Sequence, residues 1–215
     1  MTRVTSGIST SLDGFIAGPN PTLEQPLGDG GERLHEWAVG LRSWRERHGL
    51  EGGETNTDAE VVAEAIASTG AVVMGRRMFS GGSGRWDDDP MANGWWGDDP
   101  PFRVPVFVLT HHARPPLRLR GGTTFAFVTD GIESAVAQAR AAAGDRDVSI
   151  AGGASVVQQC LRAGLLDELE LHVAPVLLAG GTRLFDGLPP QPARLEGTRV
   201  IASPAVTHLR YRVVR

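Results

Sequence analysis

The residues best placed to do chemistry are adjacent glycines, adjacent arginines and an early aspartate. Gly152-Gly153 follow Val148-Ser149-Ile150-Ala151, a short apolar run that reads as a buried strand. They precede Ala154 to Ala163, which reads as a helix closed by Gly164. A strand passing through glycines into a helix is a device for holding phosphate. Glycine lets backbone approach a ligand, and the helix start offers unpaired N–H groups and partial positive charge. The same pattern also serves as a plain tight turn. Gly75-Arg76-Arg77 follows the apolar run Ala71-Val72-Val73-Met74 and brings cations to a second strand–glycine–helix joint. Asp13-Gly14 leaves a first strand at about Arg3 to Ser9. An acid there either shapes the turn or serves a reaction, and a buried carboxyl with a raised pKa suits acid catalysis near neutral pH.

Other chemistries are disfavoured. The single cysteine, Cys160, forms no internal disulfide and reads as a small core residue. All basic residues counted as Lys+Arg are arginines, which removes lysine Schiff bases and the P-loop. No GxGxxG occurs. His111-His112 are adjacent on an extended stretch and point to opposite sides, and the loop acids Asp87-Asp88-Asp89 read as solvated, so no metal is expected.

At 215 residues the chain is expected to form one domain over 1–215. Its 41% apolar and 21% charged content is ordinary for a globular protein. A net charge of −4 with no basic stripe argues against nucleic acid. No run approaches the ~18 apolar residues of a membrane span, and MTRVTSGIST does not read as a signal peptide. A cytoplasmic protein without a membrane partner is expected.

The elements that must position these residues read as follows. Pro19 to Gly31 is a Pro- and Gly-rich loop of lid length. Glu32 to Arg47 reads as one amphipathic helix, with Leu34, Trp37, Ala38, Leu41 and Trp44 near one face and His35 and Glu36 beside it. Thr57-Asp58-Ala59-Glu60 has capping-box spacing for a helix from about Asp58 to Ser68. Ser80 to Arg103 is a loop carrying Trp86, Trp95 and Trp96. Val106 to Leu109 and Phe125 to Val128 are strands, and Asp130 caps a helix ending near Ala143. Glu168 to Leu178 reads as a long strand marked by Pro175, with His172 packed on a sheet face. Final strands at about Ala193 to Ala202 and Ala205 to Val214 flank Ser203-Pro204. Strands alternating with helices, then antiparallel strands, describe a mixed α/β sheet. Ligands on such sheets gather at the carboxyl ends of the strands. Those ends carry Asp13, Gly75-Arg76-Arg77, Thr110-His111 and Gly152-Gly153. Pro19 to Gly31 and the Trp86 to Trp96 segment are expected to line a substrate side, since tryptophans make flat apolar walls; the alternative is that they are surface inserts.

SLDGFIAG (Ser11 to Gly18), VVMGRRMF (Val72 to Phe79), VFVLTHHA (Val106 to Ala113), AGGASVVQQCL (Ala151 to Leu161) and LLDELELHVAPVLLAGGTRLF (Leu165 to Phe185) resemble, in order, the dihydrofolate reductase superfamily. The similarity is closest to the reductase domain of the bacterial riboflavin-biosynthesis deaminase–reductase. The resemblance implies a three-layer fold with a central, mostly parallel mixed sheet flanked by helices, and a C-terminal antiparallel hairpin. It implies an NADPH-dependent reductase of a pyrimidine- or pterin-like substrate, as in reduction of 5-amino-6-(5-phosphoribosylamino)uracil. Alternatives are a reductase of dihydrofolate or of another carbonyl or imine, and a non-catalytic NADPH-binding protein. By resemblance Gly75, Arg76, Arg77, Gly152, Gly153, Ala154 and Ser155 cradle the cofactor phosphates. Thr110 and His111 lie by the adenosine ribose, and Ile16 and Ala17 face the nicotinamide. A single cysteine cannot supply the PCxxC pair of the zinc deaminase half, so that half is not expected in these residues. The acid that dihydrofolate reductases carry after their first loop is not clearly matched, with Asp13, Glu32 and Glu36 as candidates. Glu32, His35, Glu36, Trp86 and Trp95 are the substrate-side candidates. A homodimer through the last long strand and hairpin is also implied. NADPH rather than NADH is expected because Arg76, Arg77, Thr110 and His111, with Arg114 close behind, bring basic groups and no acid to the adenosine end. Of two adjacent arginines, one is expected to pair with a neighbouring acid.

Overall fold

Ala71, Val72, Val73 and Met74 are all buried, so the strand they form is covered on both faces. The computed structural model describes residues 2–190 and 193–214. The first half runs β1 (Val4–Ser11), β2 (Phe15–Ala17), a 3-10 turn (Gly31–Leu34), α1 (Glu36–Val39), α2 (Arg42–Arg47), α3 (Thr57–Ser68), β3 (Thr69–Gly75) and α4 (Arg76–Ser80). Then come β4 (Pro105–Leu109), β5 (Leu117–Arg118), β6 (Thr124–Val128), α5 (Ile132–Ala143), β7 (Asp147–Gly152) and α6 (Ala154–Arg162). The chain closes with β8 (Glu168–Ala174), β9 (Thr182–Arg183), β10 (Arg194–Ala202) and β11 (Thr207–Val214).

The main sheet has the order β10-β11-β8-β1-β7-β3-β4-β6-β5, and β2 pairs β9 in a separate ribbon. From β8 to β6 every neighbour is parallel. The β10–β11 hairpin adds to β8 antiparallel. The fold is therefore the expected mixed, mostly parallel α/β sheet with a C-terminal hairpin.

Alternation along the strands divides the core. Val4, Ile8, Val73, Val148 and Ile150 face one side and pack with α5 and α6 through Ala135, Val136, Val157 and Cys160. Val72, Met74, Val106, Val108 and Phe125 face the other side, under Phe79, Trp86, Trp96 and Phe102. Each fully buried aliphatic or aromatic side chain of this kind contributes about 1.5–3 kcal/mol. Burial also pushes the Cys160 thiol up to about 12, which leaves it inert.

Several local readings are corrected. Glu32 to Arg47 is not one helix but the 3-10 turn, α1 and α2. Leu41 is extended between α1 and α2, because the returning chain takes its backbone groups. The Arg42 amide donates to the Glu54 carbonyl at 2.8 Å, and the Glu54 amide to Gly40 at 3.0 Å. The apolar set still faces inward: Leu34, Trp37, Ala38 and Leu41 are buried. Asn56, not Thr57, caps α3, its side-chain oxygen accepting from the Ala59 amide at 3.0 Å. Asp130 caps nothing; the residue before α5 is Gly131, with no side-chain cap. The strand at Glu168 ends at Ala174, since Pro175 has no N–H to continue the ladder.

Candidate cofactor and substrate edge

β1, β7, β3 and β4 are consecutive parallel neighbours. Their carboxyl ends therefore form one edge, which carries Ser11 to Asp13, Gly152-Gly153, Gly75 and Thr110 in that spatial order. The ends of β1 and β4 are three strand spacings apart, roughly 14 Å.

The two glycine joints meet. A Cβ on Gly75 would lie 3.1 Å from Val156 Cγ2 and 3.8 Å from the Gly153 nitrogen. Gly152 has φ +125, a conformation that side chains disfavour. A Cβ on Gly153 would meet nothing within 4 Å, so space lies open above it. Gly153 stands before α6 with no side chain bonding the first amides, and Gly75 stands likewise before α4. Ala154 is buried and Ser155 is exposed beside that space. Open room at a glycine, next to uncapped helix amides, fits a phosphate-bearing cofactor.

The adjacent arginines divide. Arg76, expected to hold phosphate, is buried and turned inward. Its guanidinium bonds Ser80 Oγ and the Asp89 carboxylate and lies over the Trp86 ring. Burial pushes Asp89 up, but the Met91 amide, Arg76 and Ser80 outweigh it and hold its pKa below the usual value. Arg77 is exposed and makes no ion pair among the described residues. Thr110 is buried; its amide donates to the Val128 carbonyl at 3.0 Å and its hydroxyl accepts from the His112 amide at 3.2 Å. His111 is exposed beside it.

Asp13 is corrected in its chemistry. Its carboxylate accepts from the amides of Leu178, at 3.2 Å, and Ala179, at 2.8 Å. The Ser11 hydroxyl first, then these amides, lower its pKa to about 2, opposite to the raised value expected of an acid catalyst. It therefore ties the loop after β8 to the end of β1. The β1 end also carries a cation that sequence reasoning passed over. Arg183 of β9 donates to the Asp13 carbonyl at 3.0 Å and lies 4.2 Å over the Phe15 ring. The only sequence signal was its place as the lone cation in the Gly-rich stretch Ala179 to Phe185. Ile16 and Ala17, half-buried in β2, stand beside it.

Pro19 to Gly31 folds back against β2. The Gly18 amide donates to the Leu27 carbonyl at 2.7 Å, and a Cβ on Gly18 would lie 2.0 Å from the Asp29 carbonyl oxygen, so only glycine fits. Glu32 and Glu36 are exposed, and their side chains bond nothing among the described residues. His35 is half-buried with an unpartnered Nδ1, and burial lowers its pKa. Trp86 does not line the β1 end. Its indole N–H donates to the His112 carbonyl at 2.7 Å and its ring packs edge-on to Phe127 of β6. Arg114 joins it, bonding the Ala92 carbonyl and Asn93. This half of the second insert thus seals the β4–β6 end. A Cβ on Gly81 would lie 2.7 Å from Leu23 Cδ2 of the first loop and 3.0 Å from Trp95 Cζ3, so both inserts come close to Gly81.

A nine-strand sheet of this order, with a glycine-rich carboxyl edge, defines an α/β protein of the dihydrofolate reductase-like fold. The RibD C-terminal domain family matches residues 2–209, and the chain belongs to that family, one of riboflavin-pathway reductases that use a nicotinamide cofactor. A protein from Shewanella sp. PV-4 named for riboflavin biosynthesis aligns over 100% of both chains, at 22% identity and a TM-score of 0.66. The Thermotoga maritima diaminohydroxyphosphoribosylaminopyrimidine deaminase/5-amino-6-(5-phosphoribosylamino)uracil reductase aligns over 99% of this chain and 56% of its own length, at 16% identity and a TM-score of 0.55. The riboflavin biosynthesis reductase Rib7 of Saccharomyces cerevisiae aligns over 100% of this chain and 89% of its own, at 14% identity and a TM-score of 0.50. Among curated protein sequences, none matches this chain. Among the described residues no helix is long and apolar enough to cross a membrane.

Proposed function

We propose that this protein is an NADPH-dependent reductase of a phosphoribosylamino-pyrimidine, such as 5-amino-6-(5-phosphoribosylamino)uracil. The observation that carries the reading is the meeting of two uncapped glycine–helix joints on one carboxyl edge of the family fold. Gly153, Ala154 and Ser155 suit the cofactor diphosphate. Arg77 and His111 suit the 2′-phosphate of the adenosine, with Thr110 by its ribose. Ile16 and Ala17 suit the nicotinamide side.

Bound there, the cofactor supplies a hydride to a C=N or C=O carbon of the substrate. The chain's own part is to bind and orient. Arg183, exposed at the β1 end and steadied by the Asp13 carbonyl, is the cation for the substrate's phosphate. Asp13, ionised at neutral pH, is a positioning residue that holds Leu178 and Ala179; the proton that completes reduction comes from water. The same reading implies a cytoplasmic homodimer. β10 is an edge strand exposed along most of its length, with Val200 69% exposed, and suits pairing with a second copy.

Cofactor oxidation is the test, followed with this uracil derivative, dihydrofolate and simple carbonyls, each with NADPH and NADH. The expected result is turnover of the uracil derivative with NADPH. Turnover of dihydrofolate alone reassigns the substrate; NADPH binding without any turnover makes the protein a non-catalytic member. Light scattering on the same sample reads the dimer.

A further inference from the structure

Away from the carboxyl edge, three polar side chains from three elements form one hydrogen-bonded chain. His208 of β11 and Asp58 of α3 are 1% and 2% exposed. His208 Nε2 lies 3.0 Å from Asp58 Oδ1, and the Ser203 hydroxyl donates to Asp58 Oδ2 at 2.9 Å. On its other side His208 Nδ1 lies 2.7 Å from Nδ1 of His172, its cross-strand partner on β8. The Trp37 ring of α1 packs on both imidazoles, at 5.0 Å and 5.1 Å, and its N–H donates to Ser9 of β1. α1, α3 and the C-terminal hairpin thus share one anchor. Nothing in the reductase reading uses it.

This anchor can hold few protons. A carboxylate only accepts, so His208 Nε2 carries a proton. Between the two Nδ1 atoms there is room for one more, since one nitrogen must donate and the other accept. With no excess proton on the pair, His172 donates to His208. With one, either ring is charged and a single N–H still bridges them. With two, both Nδ1 atoms carry hydrogen, and two positive rings face each other without a bond. The count is the same whichever ring takes the first proton. The second excess proton therefore breaks the chain.

The surroundings sharpen that limit. Burial first, then the charges of His208, Arg210 and His35, lower the His172 pKa to about 3. His35, just before α1, is itself lowered by burial. The neighbouring β1 brings the uncharged Gly7 and Ser9. Arg210 is held by Glu64 at 2.7 Å, Glu170 at 3.2 Å and Glu168 at 3.6 Å. Glu64 of α3 also pairs with Arg199 of β10 at 2.6 Å. Arg210 first, then Arg199, hold the Glu64 carboxyl below its ordinary value, so these ion pairs persist in mild acid. The group that changes there is the histidine pair.

We propose that the Asp58–His208–His172 chain is a pH-sensitive latch that fastens α1 and α3 to the C-terminal hairpin and opens in mild acid. Once the latch is open, His172 regains its ordinary pKa of 6.5. A group depressed in the closed form favours closure fully above its ordinary pKa, and that advantage is lost as pH falls toward the depressed value. Opening therefore gains about tenfold for each pH unit below the ordinary pKa. The latch stands or falls apart from the reductase reading.

The test is amide hydrogen exchange of the full chain, with each rate divided by the intrinsic rate at the same pH. Between about pH 6.5 and 5 the protection of α1 and α3 should fall about thirtyfold, while α5 keeps its protection. His172→Gln takes up no second proton and still offers His208 an uncharged acceptor; its fall should shrink to about threefold or less. His35→Gln should keep the parent's fall. A change of about threefold or less in the parent overturns the proposal, and so does an equal fall in α5. A pH dependence kept in His172→Gln, or lost in His35→Gln, also overturns it. Should His172→Gln not fold, the parent and His35→Gln decide: a fall confined to α1 and α3 in both supports the latch, and any other pattern overturns it.

Discussion

The guanidinium carbon of Arg76 lies 3.4 Å from the centroid of the Trp86 ring. Asp89 closes the same guanidinium from another side, so a cation from the first turn of α4 anchors the start of a long insert. The neighbouring Arg77 is thereby left as the exposed cation of the pair. This division governs the first prediction.

Arg76→Ala is expected to destabilise the fold by about 3–5 kcal/mol, because it leaves the Asp89 carboxylate buried without its partner. Side-chain exposures of 6% and 3% for the pair place it in that regime. Arg77→Ala should leave stability within about 0.5 kcal/mol and reduce the preference for NADPH over NADH about tenfold. Urea unfolding and paired cofactor titrations measure both. The reverse pattern would show that the roles are exchanged.

For Asp13 the folded-state pKa, about 2, lies below its ordinary value of 3.8. A depressed acid pKa gives stability that is present above the ordinary value and is lost as pH falls from there through the folded pKa. Asp13→Asn should therefore flatten the acid limb of stability between about pH 4 and 2. The neutral limb of the rate–pH profile should stay where it is, and KM should rise as the loop at Leu178 and Ala179 loosens. A neutral inflection that disappears in the variant would restore Asp13 as the proton donor.

The two central glycines should respond differently to alanine. Gly152→Ala is expected to cost more than about 1 kcal/mol of stability, because φ is +125 there. Gly153→Ala has room for its methyl and should fold normally. It should nonetheless weaken NADPH binding several-fold, because the methyl enters the space proposed for the diphosphate. Unchanged cofactor affinity in a well-folded Gly153→Ala would move the phosphates elsewhere.

Arg183→Ala is expected to raise KM about tenfold for the phosphorylated uracil substrate, the loss of one charge-assisted contact. The dephosphorylated substrate should be turned over equally by parent and variant. An equal loss on both substrates would mean that Arg183 supports the loop rather than the phosphate.

Much of this molecule was legible in the residues alone. Short apolar runs such as Ala71 to Met74 announce strands covered on both faces, and glycines directly after them announce joints. Both are local signals, written in neighbouring side chains and in the one residue that tolerates close backbone approach. Parallel strand direction then follows from the alternation with helices, so the shared edge of Gly75, Thr110 and Gly152 was foreseeable, though the strand order was not. What neighbours cannot reveal is which distant group claims a side chain. Identical arginines at 76 and 77 separate because Trp86 and Asp89, in the insert that follows α4, fold over the first. Asp13 is a loop anchor because the amides of Leu178 and Ala179 reach it from the far end of the chain. The helix expected over Glu32 to Arg47 breaks at Leu41 because Glu54 takes the backbone bonds it needed. The rings of His172 and His208, on β8 and β11, meet at 2.7 Å because Asp58 of α3 holds the second ring from its other side. Charge pairing, burial and hydrogen-bond direction depend on three-dimensional neighbours, and only the tertiary structure brings those neighbours together.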